Sequence, residues 1–291
     1  MKFNLNDSII LLIKGILMGA ADIVPGISGG TIAMMTGIYE QLIKKISNIT
    51  FKFINPLVHG NIKQFKIEIK KEIDFIFFIP LLLGISMSFL ILSNIINYLL
   101  KTQTAYIYSF FIGLILSSAY ILYHKLNEKN FKLYLSLILG ITLSYIFVGL
   151  NPIASNHNMF AIFSAGLIAI CAMILPGISG SMILLLLNQY DYMINALHTL
   201  NMHDIIIFLA GALIGILGFS KILNYLLNKY EKITISFLIG VMIGTLRKPV
   251  IEVTTHLPSN WHYCIILIIL GFLLIYILEQ TLVSKKIIKY N

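Results

Sequence analysis

The sequence predicts an all-α, polytopic membrane protein made of two inverted repeats, each a re-entrant helical hairpin followed by three transmembrane helices. Three observations carry this prediction. Hydrophobic residues make up 58% of the 291 positions and charged residues only 11%, with a mean hydropathy of +0.90, which is unlike a water-soluble domain. Apolar runs long enough to cross a hydrocarbon core of about 30 Å recur along the chain. A seven-residue motif occurs twice, 151 positions apart.

The repeated motif interrupts an apolar segment in each half of the chain. The first copy reads Ile-Val-Pro-Gly-Ile-Ser-Gly and the second Ile-Leu-Pro-Gly-Ile-Ser-Gly. Because proline and glycine weaken a helix interior, the motif predicts a helix break at 24–30 and another at 175–181. A duplicated break within apolar sequence is typical of membrane transporters built from two related halves, with the binding site where the breaks meet.

The lengths of the flanking apolar stretches predict a hairpin rather than a single span. Residues 9–23 and 30–46 would together measure about 48 Å as one helix, which is too long for a single crossing. Each stretch alone reaches about 22–25 Å, past the midplane but short of the far side. We therefore expect each motif to form the tip of a hairpin that returns to the side from which it enters.

Three apolar helices are predicted to follow each hairpin. The second half repeats the first at an offset of 151 near the motif and of 127 further on, where Asn-Tyr-Leu-Leu at 97–100 returns at 224–227. The change of offset marks a basic insertion in the first half, at about 48–73. The first repeat is expected to span 1–150 and the second 151–291. The predicted transmembrane runs are 75–98, 105–123, 133–150, 205–227, 233–246 and 262–279.

The distribution of basic residues predicts the orientation of the chain. If each half contributes a hairpin and three crossings, 17 of the 21 basic residues fall on one side and three on the other, with Lys14 inside the first hairpin. The positive-inside rule makes the Lys-rich side cytoplasmic, and both termini with it. Three crossings is an odd number, so the halves are inverted and one hairpin enters from each side. The net charge of +9 then reflects membrane topology rather than nucleic-acid binding.

The chemistry of the motif predicts an anion site. Proline ends the incoming helix, glycine permits close backbone approach, and serine caps the outgoing helix. Unpaired N–H groups at the positive end of a helix dipole bind anions, above all phosphate. The alternative, that each motif is only a tight turn, is less favoured because the motif occurs twice at depth. The predicted anion-binding residues are Pro25, Gly26, Ser28, Gly29, Gly30, Thr31, Pro176, Gly177, Ser179, Gly180 and Ser181.

Two charged residues precede the first break, where an ionised group in hydrocarbon needs a partner or water. Lys14 is a candidate contact for the anion, and Asp22 is a candidate cap of the break or carrier of a proton. Their counterparts in the second half are Ala165 and Met173, so the predicted site is chemically asymmetric. Mutual neutralisation, or snorkelling of Lys14 to the surface, is the alternative.

Further charged residues lie near the predicted helix ends. Arg247 and Lys248 follow the short apolar run and are candidates to attract an anionic headgroup on the outer side, with Arg247 taken into the predicted site. An ordinary interfacial anchor is the alternative. Glu40 and Asp191 follow the two motifs at equal distances, and either couple transport to an ion or mark the hairpin ends.

The insertion has an amphipathic pattern. This pattern is typical of a helix lying on anionic lipid, although a plain basic loop is nearly as well supported. The apolar stripe is Ile62, Phe65, Ile69 and Ile73, with Lys63, Lys66, Lys70 and Lys71 around it.

Several stretches resemble the polyprenyl-phosphate transporter family. The run Met-Gly-Ala-Ala-Asp-Ile-Val-Pro-Gly-Ile-Ser-Gly-Gly-Thr at 18–31, followed by Gly-Ile-Tyr-Glu at 37–40, is similar to the first signature of that family. Leu-Pro-Gly-Ile-Ser-Gly-Ser at 175–181 resembles its second signature, and Gly-Thr-Leu-Arg-Lys at 244–248 a third stretch. The resemblance covers essentially the whole chain. Asn-Gln at 188–189 departs from the Gly-x pair of the first copy, so the second hairpin is expected to close differently.

The resemblance implies a lipid transporter (flippase) that returns undecaprenyl phosphate, or a related polyprenyl phosphate, from the outer to the inner leaflet of the bacterial cytoplasmic membrane. Alternating access of inverted halves would move the headgroup while the tail stays in the bilayer. Membrane lipids, H⁺ or Na⁺ and a second copy of the chain are compatible partners. Asp22, Glu40 and Asp191 are the candidate coupling residues.

Other functions are less well supported by the residues. A channel or exchanger for a small inorganic anion is the main alternative, since helix termini also bind chloride or free phosphate. No nucleophile–base pair, metal cluster or phosphate-binding Gly-rich motif of ATPases stands out in the sequence. We therefore expect no enzymatic activity, no cofactor, no metal and no direct drive by ATP.

Overall fold

The computed structural model describes residues 5–24, 26–126, 130–152 and 156–288, with side chains described as far as residue 277. Every regular element in these ranges is an α-helix, which confirms the predicted all-α class. The helices are α1 (Leu5–Ile23), α2 (Gly29–Met35), α3 (Tyr39–Ser47), α4 (Ile54–Val58), α5 (Ile62–Glu72), α6 (Phe75–Thr102), α7 (Thr104–Lys125), α8 (Phe131–Val148), α9 (Met159–Ile174), α10 (Gly180–Leu186), α11 (Tyr190–His198), α12 (Met202–Lys229), α13 (Glu231–Thr245), α14 (Arg247–Thr255) and α15 (His262–Ile288).

Five helical stretches of the described chain are long and apolar enough to cross a membrane. They are α6, α7, α8, α12 and the stretch Glu231–Thr255 formed by α13 and α14. The helix α9 and the described part of α15 are shorter apolar helices. Large apolar side chains cover the outside of the bundle, among them Leu90 on α6 and Phe131 on α8. An apolar exterior of this extent faces lipid, and the chain is therefore a multi-pass membrane protein.

The bounds of the helices recur at the two offsets found in the sequence. The helices α2 and α3 begin and end 151 positions before α10 and α11, and α6 begins and ends 127 positions before α12. The second half departs from the first where α13 ends at Thr245 and α14 begins at Arg247, because α7 is continuous over the corresponding positions. Similar sequence thus gives similar local structure, while the opposite orientation of the halves stays a prediction.

Small residues form the contacts within four pairs of helices, which are α1–α6, α9–α12, α7–α15 and α8–α13. In the first pair, a Cβ added at Gly15 would overlap the carbonyl oxygen of Leu81, and one at Gly84 would overlap that of Leu12. Lipid tails are as apolar as leucine, so burial of large side chains gives no drive for helices to associate in a membrane. Close approach of backbones drives association instead.

The pairs α7–α15 and α8–α13 join the two halves of the chain. Between α8 and α13, Ser136 Oγ donates to the carbonyl oxygen of Ile233 at 2.9 Å, and Ser236 Oγ donates to that of Leu133 at 2.7 Å. These bonds satisfy serine hydroxyls that would otherwise be buried without partners. By sequence offset, α7 corresponds to α13 and α8 to α15. The pair α7–α15 is therefore the counterpart of the pair α8–α13 when each helix is replaced by its equivalent in the other half.

The largest cluster of buried apolar side chains surrounds the first helix break. Val24 and Ile27 at the break, Ile43 on α3, and Leu238 and Met242 on α13 are each at most 1% exposed. The helix α3 also packs against α12. The irregular backbone at the first break is consequently enclosed by protein, which is the condition for non-helical backbone to lie at membrane depth.

The α9–α12 contact generates a stability prediction. A Cβ at Gly211 would overlap the carbonyl oxygen of Phe163, whereas a Cβ at Gly218, two turns further along α12, has open space around it. We expect Gly211→Leu to destabilise the protein by about 1–3 kcal/mol, the usual cost of overpacking. Gly218→Leu, the matched control, should leave stability nearly unchanged. Thermal unfolding of the two purified variants in detergent would check this, and equal melting temperatures would refute it.

Candidate functional site

The two helix breaks lie where the motif places them. The helix α1 ends at Ile23 and α2 begins at Gly29, while α9 ends at Ile174 and α10 begins at Gly180. Within the breaks, Gly26 has φ +82° and Gly177 has φ +91°. This left-handed conformation is open to glycine but strained for other residues, which explains why both copies carry glycine here. Pro176 is fully buried, and Pro25 lies outside the described residues.

The two breaks contact each other directly. The hydroxyl of Ser28 lies 3.3 Å from the carbonyl oxygens of both Met173 and Leu175, to which it donates. In the opposite direction, the backbone N–H of Gly177 donates to Thr31 Oγ1 at 2.7 Å. The side chains of Ser28 and Thr31 are inaccessible to solvent. The structure therefore brings together two motifs that are 151 positions apart, as a shared site requires.

The N-terminus of α2 is capped by its own half of the chain. Asp22 Oδ1 accepts the N–H of Gly29 at 2.6 Å, and Ser28 Oγ accepts the N–H of Gly30 at 3.1 Å. The N–H of Thr31 donates to the carbonyl oxygen of Ser28 at 3.0 Å. The motif predicts that these amides are bare and available to an anion. In this structure the amides of α2, like that of Gly177, are instead held by protein oxygens.

The N-terminus of α10 is different. Ser179 occupies the capping position but its side chain makes no capping hydrogen bond. Its hydroxyl bonds to the hydroxyl of Ser181 at 2.8 Å. Gly180 approaches α9, where an added Cβ would lie 3.3 Å from the carbonyl oxygen of Ala169. The first amides of a helix have no partner within the helix, so α10 keeps more capacity to bind an anion than α2.

The junction of α13 and α14 covers both breaks. A Cβ added at Gly177 would overlap Thr245 Oγ1 and lie 3.2 Å from the Cα of Met242. At the first break, a Cβ added at Gly26 would lie 2.8 Å from Lys248 Cγ. The side chain of Lys248 therefore passes over Gly26, and its ammonium donates to Glu252 Oε1 at 2.6 Å.

The basic side chain that lies over the first break is thus that of Lys248, although the predicted site includes its neighbour Arg247. The guanidinium of Arg247 donates to the carbonyl oxygen of Tyr145 at 2.8 Å and stacks 4.4 Å from the ring centroid of the same residue. It lies at the C-terminal end of α8, where a cation is stabilised by the helix dipole. The stretch 244–248 points to this region in the sequence, but its pattern does not distinguish Lys248 from Arg247.

Lys14 and Asp22 lie at opposite ends of α2. Lys14 Nζ donates to the carbonyl oxygen of Thr36, the C-cap of α2, at 2.6 Å, while Asp22 accepts at the N-terminus. An anion at the N-terminus and a cation at the C-terminus both complement the helix dipole. The two charges therefore stabilise α2, and the contacts described for Lys14 are with the far end of this helix rather than with the break.

Glu40 and Asp191 are exposed in the first turns of α3 and α11. The turns that precede them close in similar ways, because Asn188 has φ +53° where Gly37 has φ +69°. The second hairpin differs through a side chain instead. Gln189 is buried, and its amide donates to the carbonyl oxygen of Asn156 at 3.0 Å. This bond ties the turn to the segment before α9.

Comparisons with known proteins decide the family. The model of the family described as undecaprenyl phosphate translocase-like matches residues 18–277. The chain belongs to this family. It is 42% identical to a polyprenyl-phosphate transporter of Vibrio cholerae over 240 residues, which cover 81% of this chain and 75% of that protein. It is 33% identical to a polyprenyl-phosphate transporter of Staphylococcus aureus over 286 residues, 90% of this chain and 93% of that protein. No solved structure matches this chain.

These comparisons confirm the resemblance noted in the sequence. The matched region contains both helix breaks and the stretch 244–248, so the junction described above lies within the family model. The individual roles of the predicted site residues stay predictions. Their geometry separates a contact group around the breaks from Arg247, Glu40 and Asp191, which lie at helix starts, and from Lys14, whose ammonium contacts the C-cap of α2.

The different capping of α2 and α10 generates a second stability prediction. We expect Ser28→Ala to lower the free energy of unfolding by about 0.5–2 kcal/mol, since it removes a helix cap as well as the bonds to the second break. Ser179→Ala, at the equivalent position, removes no capping bond and should cost less. Urea or thermal unfolding of both variants in detergent would measure the difference. A larger loss for Ser179→Ala would contradict the described capping.

Proposed function

We propose that this protein transports polyprenyl phosphate, either undecaprenyl phosphate or a related lipid, from the outer to the inner leaflet of the bacterial cytoplasmic membrane. The single observation that supports this best is the direct contact of two helix breaks, through Ser28 and Thr31, in a member of the undecaprenyl phosphate translocase-like family. The names of the relatives from Vibrio cholerae and Staphylococcus aureus supply the substrate class. The protein is accordingly a carrier rather than an enzyme.

The junction of the breaks has polar groups that could take the place of the water molecules around a phosphate. The N-terminal amides of α10, beside the hydroxyls of Ser179 and Ser181, supply N–H and O–H donors. Lys248, whose side chain lies over the first break, would supply a cation. In binding it, the phosphate would replace Glu252 as the partner of the ammonium. Moving a bare phosphate into hydrocarbon costs many kcal/mol, so such donors lower the barrier to translocation. The polyprenyl tail stays in the bilayer.

Alternating access would use the bonds between the breaks as a gate. The Ser28 bonds to Met173 and Leu175 and the bond from Gly177 to Thr31 connect the two halves. Breaking them separates the motifs and opens the junction, and forming them closes it again. In this proposal the halves are inverted, both hairpins are re-entrant, and both termini are cytoplasmic, as the distribution of lysine predicts.

Reconstitution with labelled lipid would test this function. We expect purified protein in liposomes to make inner-leaflet undecaprenyl phosphate accessible to an impermeant phosphatase added outside, at a rate that empty liposomes do not reach. The same vesicles would be assayed for uptake of inorganic phosphate and for conductance. Inorganic phosphate flux or conductance with no gain in lipid accessibility would support an anion channel or exchanger and overturn the proposal.

Lys248 and Arg247 provide a matched pair of variants for this assay. We expect Lys248→Gln to slow lipid translocation about 10-fold or more, because a charge-assisted hydrogen bond contributes about 1.5–3 kcal/mol. Arg247→Gln should slow it less, since that guanidinium contacts the end of α8. Translocation rates normalised to reconstituted protein would check this. An equal or greater loss in Arg247→Gln would move the headgroup contact to α8.

Ion coupling rests on Asp22, the candidate closest to the breaks. In Asp22→Asn the side-chain oxygen can still accept the N–H of Gly29, so the local fold should persist while the ionisable group is lost. We expect the variant to translocate lipid without responding to a pH gradient across the liposome membrane. Wild-type protein measured with and without the gradient is the reference. If Asp22→Asn responds as the wild type does, Asp22 is not the proton carrier, and Na⁺ or the lipid gradient would drive transport.

A further inference from the structure

The insertion between α3 and α6 is a folded element rather than a plain basic loop. It contains the helices α4 and α5, which pack against each other. The ring of Phe53 makes edge contacts with Phe51 at 5.7 Å and with Phe65 at 6.1 Å. Glu72 closes the element by accepting hydrogen bonds from the backbone N–H groups of Thr50 at 2.8 Å and Lys52 at 2.9 Å. We refer to residues 50–72 as the α4–α5 element.

The α4–α5 element exposes large apolar side chains at its tip. Ile54, Leu57 and Val58, at helical spacing on α4, are 43%, 50% and 76% exposed, and Ile62 at the start of α5 is 63% exposed. No residue of α4 or α5 is buried. Apolar side chains clustered at the tip of so small an element need an apolar neighbour outside the element.

Lysines flank this apolar tip in the chain. Five lysines of the element are exposed, which are Lys52, Lys63, Lys66, Lys70 and Lys71. The two carboxylates of the element are already engaged, because Glu68 pairs with Lys71 at 2.9 Å and Glu72 accepts the backbone bonds. The remaining positive charge complements an anionic surface. An apolar tip flanked by lysines fits a bilayer that contains anionic lipid.

The connections of the element hold it close to the bilayer. Its C-terminal end leads within two residues to Asp74, the N-cap of the membrane-spanning helix α6. Asp74 accepts the N–H of Phe77 at 3.1 Å and pairs with Lys45 on α3. The eleven residues of α5 extend only about 16 Å, so the tip stays within reach of the membrane surface.

We propose that the α4–α5 element lies on the cytoplasmic leaflet, inserts Ile54, Leu57, Val58 and Ile62 among the lipid chains, and binds anionic phospholipid headgroups through its lysines. This surface is remote in the chain from both helix breaks and does not depend on the identity of the transported substrate. Its partner is the bilayer itself. The test must distinguish insertion into the bilayer from binding of a soluble protein to the same apolar tip.

Two positions on opposite faces of α5 provide the test. Ile62 and Gln64 are two residues apart, so their side chains point about 200° apart around the helix, and both are exposed. Single cysteines would be introduced at Ile62, Gln64 or Val58 of the full chain, in a background with Cys171 and Cys264 replaced. Each would be labelled with a polarity-sensitive fluorophore. The labelled protein would be reconstituted in vesicles with or without phosphatidylglycerol, containing lipids with a nitroxide on the acyl chain.

We expect nitroxide quenching at positions 62 and 58 to exceed that at position 64 several-fold in phosphatidylglycerol vesicles. It should fall towards the Gln64 level in purely zwitterionic vesicles, or when Lys63, Lys66 and Lys70 are all replaced by glutamine. Equal quenching at positions 62 and 64 would overturn the proposal, as would quenching that is independent of anionic lipid. Protection from both nitroxide lipid and aqueous iodide would indicate a protein contact and would also overturn it. Lipid translocation is not read out here, so this test can fail without the proposed transport failing.

Discussion

The structure depends on satisfying the backbone polar groups that two helix breaks expose. Each such group that is buried without a partner costs several kcal/mol. The chain solves this by placing the breaks against each other. Ser28 donates to the carbonyl oxygens of Met173 and Leu175 at the end of α9, and Thr31 accepts the N–H of Gly177. Each motif is therefore a structural requirement of the other, whatever ligand the junction binds.

The two motifs are nearly identical in sequence but unequal in structure, and the difference comes from their surroundings. Asp22 caps α2, whereas the equivalent position before α10 is Met173, which has no carboxylate to offer. At the other end of α2, the ammonium of Lys14 donates to the carbonyl oxygen of the C-cap residue Thr36. The helix α2 is thus stabilised at both termini. The N-terminus of α10 has only serine hydroxyls that bond to each other.

Much of this fold could be predicted from the sequence, because the decisive signals are local. Proline and glycine fix the breaks, hydrophobic runs fix the long helices, and the two offsets recur in the helix bounds. What could not be predicted depends on directions across the molecule. Arg247 and Lys248 are adjacent in the chain, but α14 begins between α8 and the first break. Arg247 therefore contacts α8, and Lys248 contacts the break. No periodicity in the sequence encodes that division, nor the bond from Gly177 to Thr31.

The unequal capping also decides which hairpin can rearrange at lower cost. Moving α2 would break the bonds to Asp22 and Lys14 as well as the contact between the breaks, and α3 is held against α12. Moving α10 would break the contact between the breaks but no helix cap. The second hairpin has its own restraint at its far turn, where Gln189 bonds to Asn156. Because segments with fewer buried bonds open at lower free energy, we expect α10, between the shared junction and that turn, to move more readily than α2.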